Sequence, residues 1–178
     1  FDIENPSLWD IDSPKLYTAK TQILADGKPV DEYFSRFGVR SISYDRDGGF
    51  KLNGKKTIFK GVCMHHDLGP IGAAFNVSAA RRQVEILKEM GANAIRTSHN
   101  PPSPALLDIC DELGMLVQVE AFDEWKMPKC ENGYNKLFDK WAKKDVEAMI
   151  RRDRNHPCVV MWSIGNEVLE QWTDAKAD

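Results

Sequence analysis

The stretch Asn93–Ala121, NAIRTSHNPPSPALLDICDELGMLVQVEA, decides the fold. It opens with one strand, NAIRTSH, and closes with another, MLVQVEA. Between them Ser103-Pro104 starts a helix that runs through Leu113, with Pro at the favoured first position and Gly114 at its end. Strand, helix and strand follow one another, in a repeat whose strands are for the most part nearly continuously apolar. Such strands pair parallel and are covered on both sides.

The same alternation extends in both directions. Upstream, IFKGVCMH (residues 58–65) reads as an apolar strand. Ser78 is predicted to cap a helix through AARRQVEILKEM, which has an apolar Ala80, Val84 and Leu87 face and Gly91 as its stop. Downstream, a loop containing MPKCENGYN leads to a long helix near Leu137 to Arg154, halted by Asn155-His156-Pro157, and CVVMWSI is a fourth strand. Four such strands amount to half of an eight-stranded barrel or to a small open sheet. Residues 1 to about 60 read differently, as β structure. KLYTAKTQIL alternates before Asp26-Gly27, EYFSRFGVRSISY is strand-rich but interrupted at Gly38, and GFKLNGKKTIFKG carries the hairpin signal Asn53-Gly54. Short strands with tight turns suggest part of a sandwich.

The 178 residues carry a formal net charge of −3 and are 42% hydrophobic, ordinary values for a globular chain. No basic stripe invites nucleic acid, and Arg151-Arg152-Asp153-Arg154 reads as a solvated helix end. No apolar run approaches the ~20 residues of a membrane span. The chain starts in mid-pattern at Phe1, which points to a piece of a longer protein. Its compartment stays open, although a periplasmic or secreted parent is compatible with the sequence. Cys63, Cys110, Cys130 and Cys158 form no C-x-x-C pair, so buried free thiols are expected rather than a zinc site.

Every polar cluster follows a strand: HHD, RTSHN, EAFDEW and GNE. Side chains at the carboxyl ends of parallel strands converge on one rim, where barrel enzymes place their chemistry. Glu167 ends the run VVMWSIGNE, and partial burial there would raise its pKa and suit it to general acid work. A helix-start Glu that merely suits the macrodipole explains it equally. Asn166 can bond a substrate hydroxyl, Arg96 can hold a carboxylate, and His99 and Asn100 can bind hydroxyls, although an ordinary loop also accounts for the latter two. His65 and His66 are expected to point opposite ways, so at most one faces the rim and a two-histidine metal site is disfavoured. Glu120, Asp123 and Glu124 fit a surface acidic loop as well as a metal. Phe122, Trp125 and Trp162 are candidates for a sugar-stacking platform, with core packing the default for Trp162. Carboxylates, amides and imidazoles on one rim, with no Gly-rich phosphate loop, favour a polyhydroxylated substrate and, at its sharpest, sugar hydrolysis.

NAIRTSHNPPSPALLDICDELGMLV and DRNHPCVVMWSIGNE resemble the two signature segments of glycoside hydrolase family two, which contains β-galactosidases, β-glucuronidases and β-mannosidases. GFKLNGKKTIFKGVCMHHD is similar to the family's entry into its first barrel strand, and NPSLWDIDSPKLYTAKTQI to its immunoglobulin-like sandwich. The resemblance implies an α/β fold: the first half of a (β/α)8 TIM barrel over residues 47–178, preceded by the last strands of the sandwich over residues 1–46. It also implies retaining hydrolysis of terminal β-glycosides, most like bacterial β-galactosidase-type members. Glu167 falls on the acid/base position and Asn166 on the residue that binds the 2-hydroxyl. Arg96 falls on the arginine that steadies the nucleophile, and His65 and His99 on sugar-contacting histidines. Asn100 and Glu124 complete the expected substrate-binding set. The nucleophile, a Glu on a later strand, has no counterpart here.

Two departures bear on the site. Magnesium-dependent members carry Glu-x-His where this chain has Glu124-Trp125-Lys126, so no metal is expected, the Lys126 ammonium standing in part for the cation. Val119 replaces the usual Asp before the third strand's Glu. The expected partner is an oligosaccharide or β-glycoside, with no nucleic acid and no membrane; homo-oligomerisation of the parent stays open. Alternatives are a β-glucuronidase or β-mannosidase of the same family, or a non-catalytic carbohydrate-binding protein on the same scaffold.

Overall fold

The computed structural model describes residues 2–172. β1 (Tyr17–Ala25) and β2 (Lys28–Phe37) form an antiparallel hairpin closed by Asp26-Gly27, both at positive φ as a tight primed turn requires. β3 (Ile42–Asp45), β4 (Gly49–Leu52) and β5 (Lys55–Lys56) make a second small sheet, with Asn53-Gly54 as the β4–β5 turn. The junction expected between residues 46 and 47 lies inside the β3–β4 turn, so one sheet spans it.

The alternating half follows as β6 (Gly61–His65), α1 (Val77–Glu89), β7 (Ala94–Ser98), α2 (Pro104–Leu113), β8 (Leu116–Glu120), α3 (Phe138–Asp153) and β9 (Val159–Ser163). The four strands lie in the order β6-β7-β8-β9, all parallel, as the crossover pattern requires. No described helix is long and apolar enough to cross a membrane.

Local chemistry explains the boundaries. Gly114 ends α2 in the left-handed conformation (φ 69°), and a Cβ there would overlap the Ile11 carbonyl. The start of α1 differs from expectation. Asn76, not Ser78, is the cap: it is extended, and its side-chain oxygen accepts from the Ala79 N–H at 3.0 Å. Ser78 therefore sits inside the first turn, because an equally good capping residue precedes it.

The core lies between the strands and α1 and α2, with Val84, Ile95, Leu107, Ile109, Leu116, Val117 and Val119 buried. The N-terminal segment is tied to the amino ends of the strands. The Trp9 indole N–H donates to the Asp111 carbonyl (2.8 Å), Tyr44 Oη–H to the Val160 carbonyl (2.6 Å), and Arg40 to the Pro157 and Val159 carbonyls. Arg36 of β2 pairs with Asp108 and Glu112 of α2. All of these contacts lie at the end of the sheet opposite the polar rim.

Three expectations need correction. Cys110 and Cys158 are buried, but Cys63 and Cys130 are exposed. Asp153, within the expected solvated helix end, is fully buried and paired with Arg152, which also donates to the Pro102 carbonyl. Trp162 is not core: it stands on the edge strand β9 and is 38% exposed.

Candidate active site

Glu120, the last residue of β8, is the centre of the rim and is fully buried. Arg96 donates to its Oε2 through Nε (3.0 Å) and Nη2 (2.8 Å), and Ser163 Oγ–H donates to the same oxygen at 2.8 Å. His99 Nδ1 lies 2.7 Å from Oε1. A carboxylate offers no hydrogen, so Nδ1 carries it, and a neutral His99 presents Nε2 as an acceptor. A buried carboxylate is tolerated only with such a complete set of donors. The surface acidic loop expected here is therefore wrong for Glu120, whose charge is paired inside the molecule.

Arg96 Nη2 also donates to Asn166 Oδ1 (2.8 Å), so one guanidinium joins the third and fourth strand ends. Asn166 Nδ2–H donates to Asp123 Oδ1 (2.9 Å), and the Asn166 backbone N–H to the Phe122 carbonyl (3.0 Å). Lys129 Nζ completes the network, 2.7 Å from the Asn166 carbonyl and 3.0 Å from Asp123 Oδ1. Burial alone would raise the Asp123 carboxyl, but hydrogen bonds from Asn166 and Lys129 hold it below the usual carboxylate range.

Glu167 follows on a turn fixed from several sides. Trp125 Nε1–H donates to the Ile164 carbonyl at 2.7 Å. A Cβ on Gly165 would sit 2.7 Å from both that indole nitrogen and Val168 Cγ1, so the closeness of the turn requires glycine. Glu167 itself adopts φ 42°, and its side chain is exposed. The partial burial expected for it is not provided by the described residues.

The remaining candidates divide. His65 packs edge-on against His99 with ring centroids 5.1 Å apart, while His66 turns away to stack on Phe75 and donate to the Ala73 carbonyl. The two imidazoles thus take different partners, although both residues line one cavity. Asn100 is exposed on the rim and, with Met64 and His66, lines a cavity of about 240 Å³. Phe122 is buried in a stack with Tyr134 (4.7 Å) and so is core rather than a sugar platform. Trp125 packs on Phe138 and holds Ile164.

Glu124, expected to touch substrate, is only 3% exposed. Its Oε2 accepts the Lys129 N–H (2.6 Å) and its Oε1 the Asn135 N–H (2.9 Å). Burial alone would raise this carboxyl, but N–H groups of Asn135, Lys129 and Cys130 hold it low. Its role here is to anchor the loop after β8.

Residues 45–177 match the family described as glycosyl hydrolases family 2, TIM barrel domain, and residues 1–40 match glycosyl hydrolases family 2. The chain belongs to glycosyl hydrolase family 2. It is 54% identical to a β-galactosidase from Bacteroides ovatus over 99% of this chain and 21% of that protein. It is 46% identical to a putative β-glucuronidase from Formosa agariphila over 93% of this chain and 16% of that protein. A solved family 2 structure from Bacteroides cellulosilyticus superposes with a TM-score of 0.91 at 49% identity, covering 95% of this chain and 22% of that one. The chain therefore spans about a fifth of the length of these relatives.

Within this family 2 segment the four parallel strands are barrel staves, and the rim described above lies at their carboxyl ends. The magnesium that the resemblance attaches to some members would meet a carboxylate already engaged here. Both Glu124 oxygens are engaged by backbone donors, and the Lys126 ammonium, expected to stand in for the cation, instead pairs with Asp139 at 3.1 Å. Sequence reasoning missed Ser163 and Lys129. Ser163 pairs with Glu120 in the β8–β9 register, which a correct strand alignment would have found. Lys129 lies in a loop without periodicity, and no sequence signal marks it.

Proposed function

We propose that this segment supplies the acid/base half of a retaining β-glycosidase site, with β-galactosides the favoured substrate. The observation that carries the reading is Glu167, solvent-facing on a rigid turn at the strand ends beside Asn166. Glu167 protonates the glycosidic oxygen as the bond breaks, then takes a proton from the water that releases the covalent sugar. Asn166 has one amide N–H on Asp123 and another to offer the sugar 2-hydroxyl. Arg96 keeps Asn166 and Glu120 in register, and His65 and His99 present imidazoles to neighbouring hydroxyls. The nucleophilic carboxylate comes from a part of the protein beyond these residues, about 5–5.5 Å from Glu167 in the assembled site. Identity to a β-galactosidase over 99% of this chain supports the sugar preference. The 46% identical putative β-glucuronidase supports glucuronides as the second reading, which a panel of nitrophenyl β-glycosides separates.

The test is Glu167→Gln in the full-length protein. Turnover of an aryl glycoside with a poor leaving group should fall roughly 10²–10⁴-fold, because proton donation is lost. An activated dinitrophenyl glycoside should lose much less. Full turnover of the poor substrate would refute the assignment.

A further inference from the structure

We propose that Lys129 is a built-in cation that positions the Asn166–Glu167 turn, so that this site works without a divalent metal. The inference rests on the reading of Glu167 as the acid/base. The Asn166 carbonyl belongs to the peptide unit whose nitrogen is that of Glu167. An ammonium 2.7 Å from that oxygen fixes the plane of the peptide from which the Glu167 side chain departs. The same ammonium bonds Asp123 Oδ1 at 3.0 Å, and Asp123 in turn accepts from the Asn166 amide. Backbone and side chain of Asn166 are thus held by one charge pair. Glu167 sits at φ 42°, a region that non-glycine residues keep only when neighbours enforce it.

Lys129 is itself held in place. Its N–H donates to the buried Glu124, as does that of Asn135, so the loop is pinned at both ends. Gly133 lies so close that any side chain would overlap the Glu124 carboxylate. The carboxylate at the position associated with magnesium thus serves to deliver an ammonium to the rim. Lys126 cannot supply that charge, because its ammonium is drawn to Asp139 on the outside.

The experiment uses the full-length protein with Lys129→Met, Lys129→Arg and Asp123→Asn, assayed on poor- and good-leaving-group aryl glycosides. Lys129→Met should lower kcat on the poor substrate by roughly 10–100-fold, the size expected for one charge-assisted hydrogen bond. KM should stay within about threefold, the activated substrate should be less affected, and Lys129→Arg should recover most of the loss. Asp123→Asn, which leaves the ammonium its carbonyl partner, should fall between. The unmodified enzyme should keep its rate in chelator and gain nothing from added magnesium. The proposal is overturned by wild-type kcat in Lys129→Met, by equal losses on both substrates, or by magnesium-reversible loss in chelator. If Lys129→Met does not fold, Lys129→Arg and Asp123→Asn decide: an Arg variant with no activity, or an Asn variant at wild-type rate, overturns it. Glu167→Gln keeps the two readings apart. Should it retain poor-substrate turnover, the acid/base reading fails whatever Lys129 does; should it lose turnover while Lys129→Met does not, only the present inference fails.

Discussion

Arg96 holds Glu120 through Nε and Nη2 and reaches Asn166 through the same Nη2 nitrogen, and this sharing makes it costly to remove. Arg96→Met would leave the Glu120 carboxylate fully buried with only His99 and Ser163 as partners. Breaking a buried pair from one side costs about 3–5 kcal/mol, and that loss is expected in chemical denaturation of the full-length protein. A stability change near zero would show that water or His99 compensates fully. Gly133 makes a sharper case. Gly133→Ala forces a methyl into Glu124, so the loop that carries Lys129 must shift. Poor-substrate turnover should fall together with faster proteolysis between residues 126 and 136, whereas an unchanged cleavage pattern would contradict the packing.

At the scale of elements, the connection between α2 and β9 runs through one carboxylate. Asp111 of α2 faces His156 Nδ1 at 2.6 Å and accepts the Cys158 N–H at 3.0 Å. Asp111, His156 and Cys158 bring potential metal donors within 4.8 Å of one another, yet both Asp111 oxygens are engaged and Cys158 Sγ–H donates to the Leu107 carbonyl. Burial opposes protonation of His156, but the hydrogen bond and charge of Asp111, together with the nearby Asp108 and Asp153 carboxylates, outweigh it and raise the imidazole above its ordinary value. A raised folded-state pKa gives stability that is complete below the unfolded value and is lost as pH rises through the folded one. Melting temperature of the full-length protein should therefore decline from about pH 6.5 upward by an increment absent in His156→Gln. Parallel profiles for the two proteins would refute it. This pair lies at the opposite end of the sheet from Glu167, so activity and this stability term should separate.

At the scale of the molecule, a polypeptide of these 178 residues keeps apolar surface in the open. Ile23, Leu24, Val30, Tyr33 and Phe34 of the hairpin are exposed, as is Trp162 on the edge strand. Among the described residues β6 and β9 each pair on one side only, leaving parallel edges that invite association. Sedimentation of that polypeptide should show oligomers or aggregate, and assays on nitrophenyl glycosides should show no turnover. A monodisperse, cooperatively melting monomer would contradict the first expectation.

Sequence by itself determined the element order and the rim. Period, Pro104 and Gly114 mark α2 because helix ends have local chemistry, and apolar strands between helices must pair parallel. Asn166, Arg96 and His99 were legible as strand-end residues for the same reason. It could not assign Glu120 to the interior, because a carboxylate's burial depends on Arg96, His99 and Ser163 arriving from other strands. It could not distinguish Lys126 from Lys129, because a loop lysine's partner is set by where the loop is pinned. Nor could it foresee that Glu124 faces backbone N–H groups rather than solvent. Only the tertiary structure decided these, since each depends on which groups the fold brings together, across strands for Glu120 and within the non-periodic loop after β8 for Glu124.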